Sequence, residues 1–226
     1  MLKFYFHPTP NPMKVALLLA ELEIPFEVAP IDTFKGEHHS AAYQAINPNE
    51  KLPAIDDDGV VVFDSNAILL YLAEKHGAFL GAPQDRPALL SWLMFIATGL
   101  GPFSGQSVHF RRMAPEQIPY AQNRYLREAQ RHYGVLDARL ADRAFIVGDS
   151  YTIVDIAAWG WIDRVTPVLD EGALADYPNV ARWFAMVDAR PAVAAARKTG
   201  EGHSFKKDMD EETSRALFPS NYPKAG

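Results

Sequence analysis

The chain has 226 residues, 48% of them hydrophobic, and a formal net charge of −6. That length and apolar content supply core for one large or two modest domains, and the acidic balance lacks the concentrated basic face that a phosphate backbone requires, so no nucleic-acid partner is expected. The absence of cysteine excludes disulfides, thiolate metal sites and a protein-borne sulfur nucleophile.

The N-terminus has no charged start followed by a long apolar stretch, and nowhere do ~18 apolar residues run uninterrupted. A cytoplasmic chain that does not span a membrane is expected. Lys3 to Phe6 alternates as a strand, and Met13 to Leu22 places apolar residues at helical spacing until Pro25 ends it. Phe26 to Ile31 reads as a second strand, Asp32 to His39 as a polar loop and 41–46 as a short helix. Strands at 53–55 and 60–63 flank Asp57-Asp58-Gly59, whose Asp-Gly step signals a hairpin, and Ala67 to Lys75 returns to helical spacing.

A crossover first and a hairpin last predict a thioredoxin-like α/β domain with a mixed four-stranded sheet over residues 1–80. Gly, Pro and polar residues mark a linker at 81–87, and helical patterns at 88–100, 115–141, 152–170 and 178–198 predict an all-α domain over 88–200. Thr152 to Asp155 reads as a capping box, Pro167 as a kink or stop, and 201–226 as a polar tail draped over the surface.

Three short signals fall at strand ends or helix starts, where open α/β sheets bind ligands. Leu52-Pro53 precedes a strand. A cis bond there turns the Leu52 main-chain groups outward for an extended peptide to pair with, whereas a trans proline only shapes a loop. Asp64-Ser65 opens a helix, so Ser65 can hold a carboxylate at the positive end of the dipole and Asp64 an ammonium, or the pair is a simple N-cap. Thr9-Pro10-Asn11-Pro12 presents a hydroxyl and an amide at the mouth of the first helix, where Asn11 can equally be a cap. A bound thiol of pKa near ~8.5 needs a lowering of about two units, roughly 2.7 kcal/mol, to be mostly thiolate at neutrality. One or two neutral donors plus a helix N-terminus can supply it.

Assembled, these residues resemble a cytosolic glutathione transferase from Leu2 to about Arg197, and most of all its bacterial nu class. The resemblance rests on Leu52-Pro53-Ala54-Ile55, Asp64 to Ile68, Thr9-Pro10-Asn11, Gly105-Gln106 with His109-Phe110, Ile118-Pro119-Tyr120 and Glu128 to Arg131. It implies that Thr9 and Asn11 face the glutathione sulfur, that Leu52 beside Pro53 pairs with the cysteinyl backbone, and that Asp64 and Ser65 hold the γ-glutamyl end. It further implies that His38 reaches the glycine end and that Arg131 is contributed across a homodimer. Two departures stand out: Pro12 replaces the usual Gly, and Asp64 the usual Glu. The first shifts expectation toward Asn11 as a helix cap and Thr9 as the main sulfur donor.

The function implied is glutathione-dependent disulfide reduction with weak transferase or peroxidase activity. Conjugation of glutathione to apolar electrophiles and a non-catalytic binding or regulatory domain are the alternatives. Without a protein cysteine, reduction must pass through a mixed disulfide with glutathione itself, so room for two glutathione molecules or their disulfide is expected. No metal is expected, because the adjacent His38 and His39 rings diverge in helix or strand and no carboxylate completes a set; a solvated loop suits them. Tyr5 reads as a strand residue, Phe103, Phe110 and Met113 as pocket lining or core, and Trp159, Trp161 and Trp183 as core.

Overall fold

Alternation in the first strand sets the sheet. Leu2, Phe4 and Phe6 are buried on one face of β1 (Leu2–Phe6), while Lys3 and Tyr5 lie between them, half-buried on the other. The computed structural model describes residues 1–222. A crossover through α1 (Pro10–Glu21) brings β2 (Phe26–Pro30) parallel to β1, and β3 (Ala54–Asp57) and β4 (Val60–Phe63) complete a mixed four-stranded sheet of order β2-β1-β3-β4. The hairpin turn places Asp58 at φ 52° and Gly59 at φ 94°, the paired positive angles of a two-residue type I′ turn. Between β2 and β3 lies α2 (Ala41–Gln44), and α3 (Ser65–His76) follows β4.

The remainder of the described chain is helical: α4 (Arg86–Phe95), α5 (Gly101–Val108), α6 (Pro119–Arg139), α7 (Ile153–Ile162), α8 (Val165–Val168), α9 (Pro178–Asp188), α10 (Pro191–Arg197) and α11 (Glu211–Leu217). Three helix ends differ from the sequence expectation. Gly101-Pro102 does not stop the helix expected to end near 100; a π-type turn over Ile96–Leu100 joins α4 to α5, and the wider turn accommodates a proline that has no N–H to give. The resulting run Pro83–Met113 is long and apolar enough to cross a membrane by length and composition; here one side of it packs on α6 and α7. The helix expected to reach Pro167 breaks earlier, between Ile162 and Val165, and the one expected over 178–198 is interrupted before Pro191.

One core links the sheet to the helices. Val15 to Leu19 of α1 are buried on every side, because α1 is held between α3, α7 and α10. Gly160 in the middle of α7 makes that approach possible: a Cβ there would lie 2.6 Å from Lys14 Cγ and 2.7 Å from the Pro10 carbonyl oxygen. The start of α7 is fully paired. The Thr152 hydroxyl accepts from the Val154 N–H at 3.3 Å, while the buried Asp155 carboxylate accepts from the Thr152 N–H at 2.9 Å, the Ile146 N–H at 3.1 Å and Trp183 Nε1 at 2.9 Å. Burial pushes the Asp155 carboxyl up to about 6 against those hydrogen bonds.

The tail is more ordered than a draped segment. The Lys206 N–H donates to Asp32 Oδ2 at 2.7 Å, the Ala216 carbonyl meets His39 Nε2 at 3.0 Å, and α11 packs on the 33–35 turn.

Candidate active site

The sheet and helices meet along a cleft with three adjoining cavities. The first, of about 230 Å³, is lined by Asn11, Lys14, Lys51, Leu52, Asp64 and Ser65 among others. Trp161 of α7 closes it on the helical side.

Each polar group has a local cause. The Leu52–Pro53 peptide is cis. The Lys51 carbonyl accepts from the Tyr43 hydroxyl at 2.8 Å and Asn47 Nδ2 at 2.5 Å. A trans peptide sets N–H opposite to C=O, so the Leu52 N–H is turned away from both, and it has no partner among the described residues. Asp64 is the N-cap of α3, at φ 72°, with Oδ1 accepting from the N–H groups of Asn66 at 2.9 Å and Ala67 at 3.2 Å. The plain-cap reading of Asp64 therefore holds for one carboxylate oxygen. Ser65 next to it is buried, and its Oγ accepts from Lys14 Nζ at 3.5 Å.

At the start of α1 the expectation about Asn11 needs correcting. Thr9, not Asn11, occupies the N-cap position, and its hydroxyl makes only a long 3.5 Å contact to the His7 carbonyl. Pro10 and Pro12 contribute no N–H, and the Thr9 N–H is spent on His7, so the Asn11 N–H is the unpaired donor of this helix start among the described residues. The Asn11 side chain is oriented from across the cleft: Trp161 Nε1 donates to its Oδ1 at 3.2 Å, leaving Nδ2 free.

Thr9 lines a different space. An apolar cavity of about 300 Å³ is formed by Thr9, Pro10, Val108, Met113, Trp161 and Val168, together with neighbours. A third, of about 610 Å³, joins Asn11 and Lys51 to Gln106, His109, Phe110 and Phe218. Phe110 and Met113 are thus pocket lining, whereas Phe103 stacks on His132. Phe218 sets its ring edge against His109, so the tail forms one wall.

Two predicted residues lie outside these walls. His38 is buried at 2% exposure rather than solvated, its Nδ1 unpaired and its pKa held down at about 4 chiefly by burial and secondly by His39. The two rings do not diverge: in the 3₁₀ turn Glu37–His39 their centroids lie 3.9 Å apart. Arg131 is exposed on α6, where it donates to Glu128 at 3.1 Å. Among the described residues no group of three His, Cys, Asp or Glu side chains could hold a metal.

Sequence reasoning missed Lys14 and assigned Trp161 to the core. Lys14 is 1% exposed at the floor of the first cavity, 5.9 Å from the Trp161 ring centre, and burial lowers its ammonium to about 7 with Asp64 opposing. A lone Lys on an otherwise apolar helix face was the available signal.

A thioredoxin-like sheet domain facing an all-helical domain across such a cleft defines the glutathione transferase architecture. The description "Glutathione S-transferase, N-terminal domain" matches residues 1–74 and "Glutathione S-transferase, C-terminal domain" residues 104–191; the chain belongs to this family. It is 43% identical to the disulfide-bond oxidoreductase YfcG of Escherichia coli over 87% of this chain and 94% of that protein. It is 40% identical to YghU, a disulfide-bond oxidoreductase of the same organism, over 87% and 74%. Among solved structures, a glutathione transferase from Burkholderia graminis with two glutathione molecules bound per subunit superposes with TM-score 0.81 at 34% identity, covering 88% of each chain. One from Pseudomonas putida with one glutathione disulfide bound per subunit gives 0.80 at 33%, covering 88% of this chain and 91% of that one.

Proposed function

We propose that the protein is a glutathione-dependent disulfide-bond oxidoreductase in which glutathione brings the sulfur and the protein brings position and charge. The observation that carries this is the charge pattern of the first cavity. Glutathione has two carboxylates and one ammonium; the cavity walls carry two lysines, Lys14 and Lys51, that can meet carboxylates and one acid, Asp64, with the unpaired Leu52 N–H between those motifs in sequence.

The Asn11 N–H and Nδ2 are the donors to the thiolate, aided by the positive end of α1. That thiolate attacks a disulfide R–S–S–R′, forming the mixed disulfide with glutathione and expelling R′ as thiolate; a second glutathione thiolate then attacks the glutathione sulfur of the mixed disulfide, giving glutathione disulfide and the second thiolate of R. No protein sulfur is needed. The third cavity, opening from Asn11 toward Gln106, His109 and Phe218, supplies the space for the second glutathione.

The reading includes a homodimer. Val60, Val61 and Phe63 on the edge strand β4, and Leu90 and Met94 on α4, are exposed apolar side chains that a second copy would cover, with Arg131 reaching toward the partner's cleft. Residues 1–80 then serve as the glutathione-binding domain, 81–87 as linker, 88–200 as the helical domain and 201–226 as the tail. We place the protein in the cytoplasm, where glutathione keeps thiols reduced, without nucleic-acid or membrane partners. His38, buried in the 3₁₀ turn, is assigned to the glycine end of glutathione.

Weak transfer of glutathione to apolar electrophiles is a second reading, favoured by the apolar cavity beside Trp161. The test is turnover of a small model disulfide with glutathione, set against a chlorinated nitrobenzene. Disulfide reduction exceeding conjugation by about 10-fold or more, a gap of roughly 1.4 kcal/mol in barrier, is expected; the reverse ranking favours the second reading, and turnover of neither overturns both.

A further inference from the structure

We propose that Lys14 binds the α-carboxylate of the γ-glutamyl group of glutathione. The assignment rests on the glutathione reading above and adds a residue outside its three motifs.

The γ-glutamyl end carries a carboxylate and an ammonium on one carbon. Asp64 retains one carboxylate oxygen free of capping bonds, which suits the ammonium. Ser65 offers its N–H and hydroxyl to the carboxylate, but neither is charged. The one basic side chain that completes the site, charged once it is protonated, is Lys14, whose Nζ stands 3.5 Å from Ser65 Oγ and borders the same cavity. Its side chain is 1% exposed, its hydrogen bond goes to the neutral Ser65, and Asp64 acts on it only through space, with no ion pair to Lys14 among the described residues. A lysine buried without an ion-pair partner is costly either as a desolvated charge or as a displaced proton, and folding alone gives no reason to retain it. An incoming carboxylate removes the deficit, and at so buried a position the pair is little screened by solvent.

The lysine is also held on purpose-built backbone. Its stem lies on Gly160, where a Cβ would intrude to 2.6 Å, and the ammonium is directed along the face of Trp161, the same ring that orients Asn11. One tryptophan thus positions the sulfur donor and flanks the carboxylate cation.

The test uses two ligands and the full chain. S-methylglutathione has no ionisable thiol, and its analogue with 4-aminobutyryl in place of γ-glutamyl lacks only the α-carboxylate. Calorimetry on the wild type should give about 10–100-fold tighter binding of S-methylglutathione than of the analogue, and on Lys14→Met that ratio should fall to within about threefold. Equal weakening of both ligands in Lys14→Met, with the wild-type ratio kept, overturns the assignment and leaves Lys14 a packing residue.

A second measurement needs no variant. Asp64 is the one charged group acting on Lys14, from α3; α7 faces it with Gly160 and Trp161, which do not titrate. Burial keeps Lys14 mostly neutral at about pH 8 before binding, so S-methylglutathione should take up about 0.5–1 proton, read from buffers of different ionisation enthalpy, and the analogue close to none. Equal proton uptake with the two ligands overturns the assignment. If the wild type binds neither glutathione nor S-methylglutathione, the glutathione reading itself falls; binding without the Lys14 signature removes this assignment alone.

Discussion

The helix starts at Thr152 and Thr9 use the same residue type to opposite ends. At α7 every donor is answered: Asp155 gathers Thr152, Ile146 and Trp183, and Thr152 answers Val154. At α1 the Thr9 side chain caps nothing, two prolines remove N–H groups, and the Asn11 N–H and Nδ2 are left without partners among the described residues, at a residue that lines the cleft. The lesson is that a helix start keeps donors in reserve when its capping is withheld, and serves as a structural anchor when its capping is complete.

The contrast breaks if the two starts respond alike to mutation. Asp155→Ala strands four buried donors, the N–H groups of Thr152 and Ile146, the Thr152 hydroxyl and Trp183 Nε1, and should lower unfolding stability by about 3–5 kcal/mol, measured by urea denaturation; a loss under about 1 kcal/mol would mean that the anchor is not one. Asn11→Ala should leave the melting temperature near that of the wild type and reduce kcat/KM for disulfide reduction by about 100-fold, roughly 2.7 kcal/mol. Lys14→Met should stabilise the unliganded protein by about 1–2 kcal/mol, since it removes an unpaired buried charge. The sign follows from Lys14 titrating at about 7 when folded against an ordinary 10.5. The unfolded chain binds the extra proton between those values, so wild-type stability rises with pH across that window and the advantage of the variant shrinks. Denaturation at about pH 6.5 and about pH 9.5 measures it. Thr9→Ala should change kcat/KM least, by less than about threefold, because its hydroxyl borders the apolar cavity. Should Thr9→Ala cost more than Asn11→Ala, the donor assignment is reversed.

Much of this architecture can be read from the chain because the cues act locally. Asp58-Gly59 specifies its own turn, Asp64 caps the residues immediately after it, and Thr152 with Asp155 closes a box within a single turn of helix. What escapes such reading depends on packing between distant segments. Trp161 has the size and spacing of a core residue, and only the approach of α7 to α1 turns its Nε1 onto Asn11, 150 positions away in sequence. Lys14 is one polar residue in an apolar run, and its burial beside Ser65 follows from the small residue at Gly160. The helix read as ending near 100 runs on through Gly101-Pro102 by way of a π-type turn, which depends on local hydrogen-bond geometry rather than on spacing.

Because Phe218 walls the third cavity and its segment is fastened at Asp32 and His39, that wall is only as firm as those two attachments. A protease nick after Lys207 would be expected to loosen it. Activities compared between differently trimmed preparations would then describe different enzymes.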